Sequence, residues 1–364
     1  MKRFFLLTLL LLAACAPKTP AVEAVIVTPP ATVVLAPLEG PTAALTVMTH
    51  NSFAISESAL AAFEQANNVK VTFLKSGDAG ESLNKAVLTK DAPLADVFYG
   101  VDNTFLSRAL ESGIFEPYDS PALANVPDEF RLDPQNRALP VDYGDVCINY
   151  DRAFFEKNEL AVPTSLGDLI RPEYNGLLVV ENPATSSTGL AFLLATVAHF
   201  GEPGYLDYWK MLRDNGLVVV NDWETAYYTN FSGSSGRGPQ TMVVSYATSP
   251  AAEVVYSDVP LEQSPTASII GPDTCFRQIE FVGILAGTRN RAAAERFVDF
   301  MLSLSFQEDL PLQMFMMPVD PLAFLPDSFH QFNQLPDRPA TLAPDVIAAN
   351  RERWIQEWTD AVLR

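Results

Sequence analysis

The sequence predicts an α/β protein of two lobes joined by a hinge, with a cleft between them. Strand and helix patterns alternate through the first third of the chain, and a second α/β block begins near residue 177. The portion after residue 44 is also long for one domain and comfortable for two packed lobes.

Residues 45–48 read as a strand, and 58–66 as a helix with Leu60, Phe63 and Ala66 three apart. Val69, Val71 and Phe73 alternate as a strand, and 81–89 reads helical. A third strand is expected over 96–99 and a third helix over 103–111, with Asn103 as its cap. This alternation implies a mostly parallel, doubly wound sheet, whose ligands gather at the C-terminal ends of the strands. That rule points to three loops: Thr49, His50 and Asn51; Ser76, Gly77 and Asp78; and Gly100, Val101 and Asp102. Two extended segments, 138–141 and 147–150, flank Asp142, Tyr143 and Gly144. The second block reads as strand 177–180, helices 188–200 and 205–215, strand 217–220, a helix near 223–229 and strand 242–246. Strand 276–285 and amphipathic helix 292–303 follow. The tail, 344–364, is a long helix that Pro344 can start without losing a hydrogen bond, with Trp354 and Trp358 as a packing stripe.

The N-terminus has the form of an export signal. Lys2 and Arg3 precede a run, 4–14, that is apolar except for Thr8 and too short to span a bilayer as a helix. The run ends in Leu12, Ala13, Ala14 and Cys15, which resembles a lipoprotein cleavage site, so residues 1–15 are expected to be a signal whose Cys15 carries a lipid anchor at a membrane surface. Residues 16–43, rich in Pro, Ala and Thr, form an extended tether. No later segment reads as a transmembrane helix. A formal charge of -20 argues against nucleic acid, whose phosphates require Lys and Arg. Outside the cytoplasm the remaining pair, Cys147 and Cys275, reads as a disulfide, with two free buried thiols as the alternative.

Motifs of catalysis are missing from the sequence. The three histidines, His50, His199 and His330, form no metal-ligand pair, and neither a nucleophile elbow nor a dinucleotide fingerprint occurs. The Gly/Ser-rich stretch 232–238 lacks the Gly-Lys-Ser/Thr of a phosphate loop. An enzyme is not expected, and neither a cofactor nor a metal is assigned. The adjacent Tyr227 and Tyr228 keep one alternative open, a carrier of ferric ion, which takes hard oxygen ligands.

A set of short segments in fixed order carries a family resemblance. It comprises Leu45, Thr46 and Val47 with Asn51, Ser52 and Phe53; Ala95, Asp96 and Val97 with Gly100 to Asn103; and Asp142, Tyr143 and Gly144. Thr185 and Ser186 before Gly189 and Leu190, Trp223 with Ala226 and Tyr227, and Ser245 and Tyr246 continue it. Thr248, Ser249 and Pro250, then Trp354 through Trp358, close the set. In this order they resemble the thiamine-binding proteins of ABC importers, within the ferric-ion-type class II periplasmic solute-binding proteins. The resemblance implies a monomeric carrier that captures thiamine or its phosphates between its lobes and delivers it to the importer's membrane subunits. It also implies a ligand set of His50, Asp78, Ser186, Ser187, Trp223, Tyr227 and Tyr246. A thiazolium cation suits an aromatic face, an aminopyrimidine suits a carboxylate, and the helix start after Ser186 offers free N–H groups. His50 and Ala252 stand where the family has tyrosines. In this architecture lobe 1 comprises 44–141 and about 276–318, and lobe 2 comprises 142–275 and the tail 319–364. The two cysteines then lie beside the crossing segments, where a bridge ties the hinge.

Overall fold

The computed structural model describes residues 43–364 apart from residue 236; Cys15 and the tether up to residue 42 lie outside the described residues. Ala43, counted above with the tether, is already the first residue of β1 (Ala43–Thr49).

The first flank of the sheet follows the expected alternation. β1 pairs in parallel with β2 (Val69–Lys75) and β3 (Val97–Asp102). Between them lie α1 (Glu57–Asn67) and α2 (Ala79–Leu88), and α3 (Leu106–Ser112) follows β3. Ser56 caps α1 and Asp78 caps α2, each accepting a hydrogen bond from a first-turn N–H. Asn103 does not cap α3. Its side chain instead bonds the backbone of Arg277 and Ile279, satisfying two groups of a neighbouring strand, and Phe105 begins the helix.

The far flank is built from β6 (Leu178–Glu181), β7 (Val218–Val220) and β8 (Met242–Tyr246). Its helices include α4 (Ser187–Phe200), α5 (Gly204–Asp214) and α6 (Ser249–Val255). With β5 (Leu139–Asp151) and β10 (Phe276–Leu285) the strand order is β2-β1-β3-β10-β5-β8-β6-β7, with β4 (Phe115–Glu116) on β10 and with β9 (Thr266–Ile269) and β11 (Met317–Pro318) on β5. The two central strands, β5 and β10, run antiparallel to each other and join the flanks. β5 is continuous where the sequence reads as two pieces. Asp142, Tyr143 and Gly144 remain in the ladder because each finds a cross-strand partner on β10.

Near the Phe276 end of their pairing, β5 and β10 are fastened twice. Arg277 donates two hydrogen bonds to Asp145, at 2.9 and 2.8 Å, the forked geometry that suits guanidinium to carboxylate. Beside it Cys147 and Cys275 form a disulfide, their Cα atoms 4.3 Å apart and 128 residues apart in sequence.

α7 (Arg291–Met301) covers the first flank, with Phe297 packed edge-on to Phe63 of α1. The tail helix, α8 (Pro344–Val362), buries Trp354 and Trp358, and Trp358 meets Trp209 of α5 edge-on. Each fully buried side chain of this size contributes on the order of 3 kcal/mol. The same helix reaches the other flank through Arg351, which donates to Ser107 of α3 at 3.0 Å. No helix among the described residues is long and apolar enough to cross a membrane.

Candidate functional site

A cavity of ≈ 720 Å³ opens where loops of the first flank face the segments after β7 and β8. Two of the three loops selected by topology reach it. They are tied together, since Ser76 N–H donates to the Thr49 carbonyl and Asn51 N–H to that of Gly77, both at 2.9 Å. The third is not a loop: Gly100, Val101 and Asp102 are the buried end of β3. Gly100 instead makes room for His50. Its φ is +104°, and a Cβ there would stand 2.5 Å from the His50 ring.

The cavity has an aromatic wall. Trp223, Tyr227, Tyr228 and Tyr246 all line it. Tyr227 stacks on Trp223 with ring centres 5.0 Å apart, and Tyr228 and Tyr246 meet the indole edge-on at 5.5 and 6.4 Å. The indole is fixed by its N–H, which donates to Ser245 at 2.9 Å. Residues 225–230 form a π-helical turn, and the tyrosine pair diverges on it. Tyr227 is buried and donates to Glu253 at 2.6 Å, whereas Tyr228 is 57% exposed.

The floor is acidic. Glu280 lines the cavity from β10, and its Oε2 accepts from the Tyr99 hydroxyl at 2.8 Å. The same hydroxyl lies 2.6 Å from Asp142 of β5. Tyr246 donates to Gln278, and Gln278 donates in turn to Asp102, at 2.7 and 3.0 Å. Burial raises the pKa of Glu280 and Asp142, and the charge of Glu280 raises Asp142 further. Burial also brings Asp102 up to about 7. His50 goes the other way, down to about 4, because burial disfavours its cation. Its Nε2 stands 3.6 Å from Glu280 and lacks a hydrogen-bond partner.

Six of the seven residues selected from sequence come together here: His50, Asp78, Ser187, Trp223, Tyr227 and Tyr246 line the cavity. Ser186 is fully buried behind it, its hydroxyl 3.0 Å from that of Thr188. Asp78 has a second job besides facing the cavity. One oxygen accepts from Ala79 N–H at the start of α2 and the other from Trp223 N–H at 3.1 Å, which fastens the first flank to the aromatic wall. Ser52 and Glu224 make a similar contact at 3.4 Å. Glu280 and Phe315, also lining, escaped the sequence reading. The available signal was Gln278 and Glu280 two apart in a strand that is apolar from Phe281 onward, hence on one face of the sheet.

Comparison with known proteins places this geometry in context. Residues 92–345 match the model of the family described as bacterial extracellular solute-binding protein. The thiamine-binding periplasmic protein of Escherichia coli K12 is 30% identical over 329 residues, 88% of this chain and 94% of that protein. Among solved structures, a periplasmic thiamin binding protein superposes with a TM-score of 0.76 at 28% identity, covering 88% of this chain and 96% of the other. The ferric binding protein from Campylobacter jejuni shares the fold at 18% identity, with a TM-score of 0.70 and coverage of 87% and 99%.

Proposed function

Because this chain belongs to the bacterial extracellular solute-binding proteins, we propose that it captures thiamine or its phosphates and delivers them to the membrane subunits of an ABC importer. The observation that carries this reading is the pairing of an aromatic wall with an acidic floor in one cavity. A thiazolium cation is attracted by the face of an aromatic ring, by roughly 1 to 2 kcal/mol when the contact is desolvated. The floor supplies carboxylates for the same charge, and the cavity's one lysine, Lys75, leaves its lining predominantly acidic. Trp223, Tyr227 and Tyr246 take the rings in this reading, while His50, Asp78 and Ser187 meet polar groups, with Ser186 supporting the start of α4. That helix start gives a hydroxyl or phosphate its N–H donors. The names of the relatives point the same way.

The lobes assigned from sequence fit this reading, with β5 and β10 as the crossing strands and the Cys147–Cys275 bridge at the hinge. The tail helix α8 touches both flanks and serves as a brace. The mature protein is anchored through lipid on Cys15, acts as a monomer and performs no covalent chemistry.

Ferric ion is the second reading, favoured by the shared fold. A pair of converging phenolates is what such a site would use, and the split orientation of Tyr227 and Tyr228 works against it.

Thermal unfolding with added solutes tests the assignment. Thiamine at a hundred times its Kd should stabilise the fold by about 2.7 kcal/mol. A melting temperature unmoved by thiamine but raised by another solute class would reverse the choice of cargo.

A further inference from the structure

We propose that Glu280, with Tyr99 and Asp142, makes the cavity select a cation because the three side chains give up the carboxyl proton they share when the guest enters. The inference rests on the reading of thiamine as cargo and assigns a role to a residue outside the expected ligand set.

Tyr99 Oη lies 2.6 Å from Asp142 Oδ2 and 2.8 Å from Glu280 Oε2. A phenol has one proton and donates one hydrogen bond. Were both carboxylates ionised, one of these contacts would set lone pair against lone pair. The three side chains are buried, Glu280 at 4% exposure and the others at 0%, so water does not relieve the conflict. A single carboxyl proton resolves it, because one acid then donates to Tyr99 while Tyr99 donates to the other.

Every element packed around Glu280 is consistent with that proton. Asp142 comes from β5, Tyr99 and Asp102 from β3, and Tyr246 from β8, all acids or neutral phenols. His50 approaches from the loop after β1 and stays neutral above about pH 4. Met314 places its sulfur 3.8 Å from the Tyr99 hydroxyl. These neighbours leave Glu280 without a compensating cation, and burial raises its pKa accordingly.

The thiazolium of thiamine is quaternary, so its charge has no proton to lose. Its arrival beside Glu280 supplies the missing countercharge. The shared proton passes through the cleft to solvent, Glu280 turns its carboxylate from Tyr99 to the guest, Tyr99 is left donating to Asp142 alone, and the charge within the cavity is conserved. An uncharged guest gains nothing from this exchange, which makes Glu280 a specificity-determining residue.

Calorimetric titration of the full chain with thiamine, in buffers of small and large protonation enthalpy, tests the exchange. Expected for the wild type are buffer-dependent heats that correspond to proton release. Affinity should weaken as pH is lowered, by up to about tenfold per unit over the acidic side of neutrality. Glu280→Gln should bind at least tenfold more weakly with no proton release, and Glu280→Asp should restore part of the release. Urea unfolding of each variant serves as the folding control. Tight thiamine binding with equal heats in the two buffers, or wild-type affinity in a folded Glu280→Gln variant, overturns the proton exchange and leaves the cargo standing. No thiamine binding by a cooperatively folded wild type overturns the cargo and this inference together.

Discussion

The aromatic wall and the acidic floor face the same cavity but are built on opposite plans. The wall comes from two nearby stretches, 223–228 and Tyr246, and its rings hold one another by stacking and edge contacts. The floor draws Tyr99, Asp142 and Glu280 from three strands and is held by hydrogen bonds among buried acids. Truncating a ring in the wall removes contact area for a guest. Altering the floor strands a buried polar group, which the fold itself must bear. The wall should therefore register mainly in affinity, whereas the floor should register in stability through Tyr99 and Asp142 and in affinity only through Glu280, which faces the guest.

That contrast can be broken or sharpened by experiment, and the floor carries the largest effects. Tyr99→Phe removes the hydroxyl shared by two buried acids and should lower unfolding free energy by about 3 kcal/mol in urea. Acid should act on the same region. Folded His50 resists protonation until about pH 4 against an ordinary 6.5, so the unfolded chain binds a proton first as pH falls. Stability should decline across that window by about 3 kcal/mol, and His50→Gln should flatten the decline. Gly100→Ala combines a strained φ with a collision at His50 and should cost about 2 kcal/mol. In the wall, Trp223→Ala should weaken thiamine binding at least tenfold, about 1.4 kcal/mol, while unfolding stays cooperative. Tyr228→Phe, changed at an exposed position, should alter neither affinity nor stability by more than about 0.5 kcal/mol. Should Trp223→Ala prove as destabilising as Tyr99→Phe, the distinction fails.

The same contrast explains what could be read in the sequence. Strands 242–246 and 276–285 were legible to the residue because apolar runs between turn signals depend on local pattern. The wall was legible through the family resemblance, whose ordered segments carry Trp223, Tyr227 and Tyr246. Errors arose where a distant partner outbid a local one. Asn103 has the composition of a cap, yet its amide bonds a strand 176 residues away. Asp78 caps α2 as short polar residues do, and its second oxygen reaches Trp223 across 145 residues. Tyr99 bonds Glu280 across 181 residues, a separation at which no periodicity signals contact, so the floor came to light only in three dimensions.

The disulfide bears on biogenesis as well as on the hinge. Sulfur bridges form and last in oxidising compartments, and this one closes a long loop by joining residues 128 apart. Before export the chain lacks a constraint worth about 2–4 kcal/mol. The reduced polypeptide is thus easier to keep unfolded for passage through a translocation channel, and the oxidised one, once outside, is harder to unravel. One covalent link lets the destination, rather than the ribosome, decide when the protein becomes durable.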